Sequence, residues 1–358
     1  MAFLRCVERG KSDSESVLKS MIEQRTKFQQ EKLRAVRRGR VFDKKELLEK
    51  GKGRDLGLNV RQLARELGLV AVEDKERLGL LETGKRVLRE GLESDSTRRF
   101  LITTFLQRYA AFRNVLLAVR NNNGAIVLPM ARGKEIFQSE SSKFGIRCGQ
   151  WDYEIVRDMT TQLELLNWKR EMNRAERRHK VYLICEIVTL SDMKHIDKVP
   201  RRPKSFKDRC IHRFIADSKP RSGSLFREGF VDFAISKGYL AVPGLRDPIF
   251  LKRIETTEAE FDERLWSEYL ILTKQRAMRP VYFSELRELV CERLLMSDTS
   301  FDNQIARIIN SPSRYRTKVY AGGGALSHLP GMDMRRKDLP PKTGTGEYMT
   351  YLKLDRAE

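Results

Sequence analysis

The sequence predicts a mainly α fold with short β-hairpins (α+β), organised as tandem units. Three observations carry this reading. Apolar residues recur at helical spacing in NVRQLARELGLV, RRFLITTFLQRYAAFRNVLLAVR, WDYEIVRDMTTQLELLNW and DERLWSEYLILTKQRA. Short β-rich runs follow them, among them LNWKREM, KVYLICEIV, YRTKVYAGG and EYMTYLKL. Gly, Asn or Ser-Pro closes most of the helical stretches, as at Gly68, Asn121 to Gly124, Gly238 and Ser311-Pro312. With 358 residues, 40% apolar and 33% charged, the chain can build two or three cores of ordinary size.

The first 40 residues form a basic N-terminal arm. Its helix-favouring run from Ser16 to Val36 is either a solvated helix or an arm that orders on DNA. A first packed unit spans about 41–95. Val60, Leu63, Ala64, Leu67 and Leu69 follow helical spacing up to Gly68, Leu78 to Leu81 reads as a short strand, and Thr83 is placed to cap a helix carrying Val87 and Leu88. A second unit, 96–190, opens with one long amphipathic helix bearing Phe100, Thr104, Leu106, Tyr109, Phe112, Val115, Leu116 and Val119. A short helix near Arg132 to Gln138, a helix through Tyr153, Ile155, Val156, Met159 and Leu163, and two strands about the charged tip NRAERRH complete it.

Residues 191–260 read as a basic linker and helical segment. VPRRPKSFKDR is a loop, and LFREGFVDFAISKGY is an amphipathic helix. The C-terminal unit, 261–358, has a helix with Leu265, Trp266, Tyr269, Leu270 and Leu272, a second with Ser284 at its N-cap, and a third from about Ser300 to Asn310. Two strands then flank the long insertion GALSHLPGMDMRRKDLPPKTGTG.

Helix, helix, helix, strand, wing and strand resembles the winged-helix (winged helix-turn-helix) DNA-binding superfamily, in tandem winged-helix-like domains. The resemblance implies that the third helix lies in the major groove while the hairpin straddles a phosphate backbone. It also implies a DNA-recognition subunit of a mobile-element, replication-initiation or defence system, partnered with double-stranded DNA and a separate catalytic chain.

Charge gives the same direction independently. Seventy Lys+Arg against 49 Asp+Glu leave a net +21, and for an intracellular protein the usual answering polyanion is nucleic acid. An acidic protein or anionic lipid would also answer it. The N-terminus lacks an apolar secretion core, and the longest apolar stretches fall far short of the ~20 residues of a membrane span. A cytoplasmic location, nucleoid-associated when DNA-bound, is therefore expected. Cys6, Cys148, Cys185, Cys210 and Cys291 are few, odd in number and widely spaced, as reduced thiols are.

The candidate DNA contacts on the third unit are Ser300, Asn303, Gln304 and Arg307 for base edges, with Arg314, Arg316 and Lys318 beside the wing and Arg335, Arg336 and Lys337 at its tip. Arg174, Arg177, Arg178 and Lys180 at the second unit's hairpin, Arg61 and Arg65 with Gln62, Lys85 and Arg86 in the first, and Arg201, Arg202 and Lys204 in the linker are candidate phosphate partners. No cofactor and no enzymatic role are expected, because GxxxxGK[ST] and GxGxxG are both absent. Three rival functions remain: a transcriptional regulator, a metal-dependent nuclease and a protein-docking scaffold. For the nuclease, Asp55 with Glu73 and Lys75, or Glu186 with Asp192 and Lys194, meets the carboxylate-and-lysine spacing. Cys185, His195, Cys210 and His212 form the one Cys/His grouping and lack the CxxC spacing of a zinc site.

Overall fold

The computed structural model describes residues 2–8, 61–72, 78–91, 94–129, 150–172, 177–193, 202–215, 228–323 and 349–356. The helix expected at 16–36, that at 132–138, and Asp55, Glu73, Lys75, Arg174, Lys194, His195, Arg201, Arg335, Arg336 and Lys337 lie outside them. The chain divides into two compact units, Met1–Ala110 and Ala111–Glu358. Helices are joined by small antiparallel sheets throughout, an α+β arrangement.

The first unit contains α1 (Ala2–Glu8), a helical segment at 61–66, β1 (Val70–Val72), β2 (Leu78–Leu80), α2 (Glu82–Glu90) and α3 (Asp95–Arg108). Gly68 takes φ +67, which lets the Leu67 and Leu69 amides bond back to Leu63 and Ala64 and end the helix. The chain then turns directly into β1, a strand the sequence reading had not separated from the helix. β1 pairs antiparallel with β2, Val70 opposite Leu80. Thr83 does not cap α2. The helix starts at Glu82 behind Leu81, and the Thr83 hydroxyl instead donates to the Gly68 carbonyl. Gly84 makes this approach possible, since a Cβ there would lie 2.2 Å from the Leu69 carbonyl oxygen.

The long helix expected from Phe100 to Val119 is two helices. Tyr109, at φ −114 and ψ 95, breaks it between α3 and α4 (Ala110–Asn121). The two halves bury different surfaces. α3 buries consecutive Thr104, Phe105 and Leu106, whereas α4 buries a stripe at Phe112, Val115, Leu116 and Val119. Phe100 and Tyr109, expected on one continuous apolar face, are only half-buried.

In the second unit, α4 ends where expected, with Asn123 at φ 62 and Gly124 at φ 83. β3 (Ala125–Pro129), which sequence reading missed, is followed by α5 (Gln150–Gln162), β4 (Leu166–Met172) and β5 (Arg177–Leu183). The indole N–H of Trp168 donates to the Thr160 hydroxyl at 3.0 Å, tying β4 to α5. KVYLICEIV is not one strand. β6 (Cys185–Thr189) begins after Ile184, and every residue from Val181 to Thr189 is buried. This run crosses from one sheet to the next: the Ile184 amide donates to Leu165 and its carbonyl accepts from Ile254.

The region expected as a basic linker and helical segment holds, among its described residues, the expected helix and further elements beside it. It carries α6 (Leu190–Met193), α7 (Phe206–Ile215), α8 (Glu228–Ser236), β7 (Leu240–Val242) and β8 (Ile249–Arg253). Short strands and a charged surface hid a core of Phe214, Phe230, Tyr239 and Phe250, whose neighbouring rings lie 4.8–5.2 Å apart. Asn123 accepts the Phe206 amide at 2.7 Å, and Ser205 and Asp208 bond each other's amides, so α7 is capped from two sides.

α9 (Glu258–Thr273) opens with a capping box in which Thr257 and Glu260 each accept the other's backbone amide. β9 (Val281–Tyr282), α10 (Phe283–Leu294), α11 (Asp298–Asn310), a 3-10 turn (Pro312–Arg314), β10 (Thr317–Gly323) and β11 (Met349–Arg356) follow. α10 begins before Ser284, behind Tyr282, so Ser284 is not its cap. Phe261, Leu265, Tyr269, Phe283, Leu286, Val290, Phe301, Ile305, Ile308, Leu352 and Leu354 form the core here.

Three sheets share one connectivity. Their orders are β3-β5-β4, β6-β8-β7 and β9-β11-β10, all antiparallel, so the strand last in sequence is always central. One or more helices separate the first strand from the second in each.

Candidate nucleic-acid interface

α11 presents two faces because its apolar residues repeat at helical spacing. Phe301, Ile305 and Ile308 are buried, and Thr299, Asn303, Arg307 and Asn310 are exposed together on the opposite side. The Ser297 hydroxyl accepts the Ser300 amide at 3.1 Å and starts the helix. Arg307 and Arg314 converge on one carboxylate at the start of α9. Their guanidinium nitrogens lie 3.9 and 4.0 Å from the two oxygens of Glu258, with side chains 64% and 69% exposed. Arg316 and Lys318 are exposed as the chain enters β10.

Two members of the predicted base-reading set are placed differently from Asn303 and Arg307. The Ser300 hydroxyl lies 2.8 Å from that of Ser297 and accepts from Arg253 at 2.7 Å. Arg253 also pairs with Glu164, which lies 3.0 Å from the Ser297 hydroxyl, and Asn167 donates to Asp298 at 3.0 Å. The first turn of α11 is thus fastened to the start of β4 and the end of β8, and Ser300 spends its hydroxyl on that seam. Gln304 is half-buried, its amide oxygen enclosed without a hydrogen-bond partner.

Lys180 is likewise engaged. Its ammonium pairs with Glu292 of α10, and Lys169 lies 3.2 Å from Glu292 and 3.7 Å from Glu288. Burial pushes the Glu292 carboxyl up, but the two lysines outweigh it and hold it below the usual range. These bonds span more than 100 residues, and nothing in local sequence signals them. Arg177 and Arg178 lie in β5, with their side chains outside the described residues. Arg202 and Lys204 are exposed just before α7. In the first unit Arg65 is exposed and Arg61 half-buried, Gln62 donates to Glu66 at 2.9 Å, Lys85 lies 3.9 Å from Glu82, and Arg86 pairs with Glu90 at 2.9 Å.

Glu186 and Asp192, a candidate nuclease pair, are buried and fully occupied. Glu186 accepts from Arg213 at 2.8 Å and from the Tyr239 hydroxyl at 2.6 Å. Asp192 accepts from Arg120 at 2.7 Å and the Thr189 amide at 2.8 Å, with the Lys207 ammonium at 2.7 Å. Burial raises Asp192, but Arg120, Lys207 and the Thr189 amide prevail and hold it below the ordinary aspartate range. Both carboxylates are committed to ion pairs and hydrogen bonds within the fold. Burial drives the Cys185 thiol well above its usual range and pushes Cys210 up to about 12, which keeps both protonated. Among the described residues no three His, Cys, Asp or Glu side chains gather as a metal site.

No protein-family model matches the chain, and no curated protein matches it. Among solved structures it is similar to restriction endonuclease FokI, at 12% identity and a TM-score of 0.26, over 86% of this chain and 48% of that one. The chain therefore spans about half the length of that structure. That protein is an enzyme, which stands against the expectation of no enzymatic role and gives this chain no activity of its own. A likeness at this TM-score transfers neither a fold nor an activity. No helix among the described residues is long and apolar enough to cross a membrane.

Proposed function

We propose that the chain is a double-stranded DNA-binding protein, with α9 to β11 acting as a winged helix that reads duplex through α11. The observation that carries this is the exposed α11 face. Asn303 and Arg307 stand one turn apart on the third helix of a helix-strand-helix-helix-strand-strand order, and their side chains suit adenine and guanine edges in the major groove. Arg314 and Arg316 extend the same segment with cations suited to phosphate. The central last strand in all three second-unit sheets is what extends this reading to β3 to β5 and β6 to β8, so that successive modules follow a long duplex site and add phosphate contacts. The residues beyond α11 with phosphate-binding roles in this reading are Arg202 and Lys204, the hairpin cations Arg174, Arg177 and Arg178, and the wing-tip cations Arg335, Arg336 and Lys337.

Selection of sites from a random duplex library tests the reading. The wild type should enrich a motif, and Arg307→Ala and Asn303→Ala should each relax it at one position, at a cost of about 1–3 kcal/mol for the favoured base. An unchanged motif in both variants would remove α11 as the reader.

A further inference from the structure

The outer face of the C-terminal sheet, of which the duplex reading uses Lys318 alone, combines aromatic rings with cations. Along β10, Lys318 and Tyr320 are exposed and Gly322 is half-buried; along β11, Lys353 is exposed and Tyr351 and Asp355 are half-buried. Thr317, Leu352 and Leu354 point the other way and are buried, as strand alternation requires. The register sets Lys318 opposite Asp355, Tyr320 opposite Lys353, Gly322 opposite Tyr351, and Tyr351 opposite Tyr282 of β9. Tyr282 and Tyr351 lie with ring centroids 5.1 Å apart at 32°. Tyr320, 47% exposed, is the diagonal neighbour of Tyr351, a separation of about 7–8 Å on an antiparallel pair. Gly322 leaves the space beside Tyr351 open, since a Cβ there would meet nothing closer than 3.8 Å.

We propose that this face, Tyr320, Tyr351 and Tyr282 with Lys353 and Lys318, is a stacking platform for unpaired bases of a single-stranded nucleic acid. A flat β surface bearing spaced aromatic rings offers π-faces that every base can use, and lysines at its margin meet the backbone phosphates. Asp355 faces Lys318, which leaves Lys353, directly across from Tyr320, as the cation that accompanies the exposed ring. A polyanion with planar bases complements both the rings and the lysines.

The test uses the full chain and three fluorescent 20-nucleotide probes read by anisotropy: oligo(dT), oligo(rU) and an abasic strand of the same charge. The expected result is oligo(dT) or oligo(rU) binding roughly tenfold tighter than the abasic strand, with Tyr320→Ala erasing the difference and Tyr320→Phe retaining it. Whichever base-bearing strand binds tighter distinguishes DNA from RNA. Duplex binding is measured in parallel, and Tyr320→Ala should leave it unchanged while Arg307→Ala reduces it; this separates failure of the platform from failure of the duplex reading. Equal binding of abasic and base-bearing strands, no loss in Tyr320→Ala, or an equal loss on duplex would each overturn the proposal. Retention of the wild-type thermal midpoint by Tyr320→Ala verifies that the exposed ring is not needed for folding.

Discussion

In the duplex-binding reading Glu258 competes with DNA for Arg307 and Arg314, and neutralising it should strengthen duplex binding. In the free protein its carboxylate draws on both Arg307 and Arg314, at 3.9 and 4.0 Å, with 41% of its side chain exposed. DNA must displace both pairs and then tolerate the carboxylate beside its own phosphates. Exposed ion pairs of this length are worth about 0.2–1 kcal/mol each, so releasing two of them in Glu258→Gln gains about 1 kcal/mol, or roughly fivefold in affinity. The gain should shrink as salt screens the carboxylate. Fluorescence anisotropy on a fixed duplex at two salt concentrations reads both effects. Glu258 also stands in the first turn of α9, where a negative charge stabilises the helix, so a fall in thermal midpoint of a degree or two is expected beside tighter binding. Unchanged or weaker binding by Glu258→Gln would refute the placement of DNA against Arg307 and Arg314.

Other predictions concern the frame that holds the interface. Arg120→Ala removes one of the two cations on Asp192, a side chain 2% exposed that keeps Lys207, and should cost about 1.5–3 kcal/mol in chemical denaturation; a loss under about 0.5 kcal/mol would show the pair to be dispensable. Asp302 on α11 is pushed up to about 6, chiefly by burial, with neighbouring Asp298 adding to it and Arg287 opposing it. A carboxyl whose folded pKa lies above its unfolded value stabilises most when protonated, so this group's contribution falls as pH rises from about 4 through about 6, by up to about 3 kcal/mol. The stability of wild type relative to Asp302→Asn, read in urea, should fall by that amount over the same pH range, and a difference flat in pH would contradict the shift. Gly84→Ala forces a methyl to within 2.2 Å of the Leu69 carbonyl and should destabilise the first unit by about 1–3 kcal/mol, read by calorimetry; a neutral effect would show that α2 can move away.

Much of the C-terminal segment was legible because its elements are long and well punctuated. The α11 stripe of Phe301, Ile305 and Ile308 repeats at helical spacing, Ser311-Pro312 stops it, and β10 and β11 are seven and eight residues long. Shorter strands escaped. β1, β7 and β9 hold three, three and two residues, too few to display a period of two. β3 hid in AIVLP, an apolar run that suits a buried strand or a helix equally. The break at Tyr109 was invisible because the residues on both sides favour helix, and only the change in what each half buries separates them. The proposed surface was half legible. Residue type and helical phase exposed Asn303 and Arg307, whereas the bonds that engage Ser300 and Lys180 come from Arg253 and Glu292, 47 and 112 residues away in sequence.

The measurement that tests the central claim most directly is binding of the purified chain to random duplex DNA, single-stranded DNA and duplex RNA over a salt series. Mg²⁺ is present throughout, and the products are resolved on a gel to register any cleavage. The account predicts tightest binding to duplex DNA. Its affinity should fall by about 0.9 decades per decade of salt for every phosphate contacted, and Arg307→Ala together with Arg314→Ala should lower that slope by about 0.9, the share of Arg314 as the phosphate contact. Weak, salt-insensitive binding to all three, unaltered in the double variant, would contradict it and assign the +21 charge to another partner.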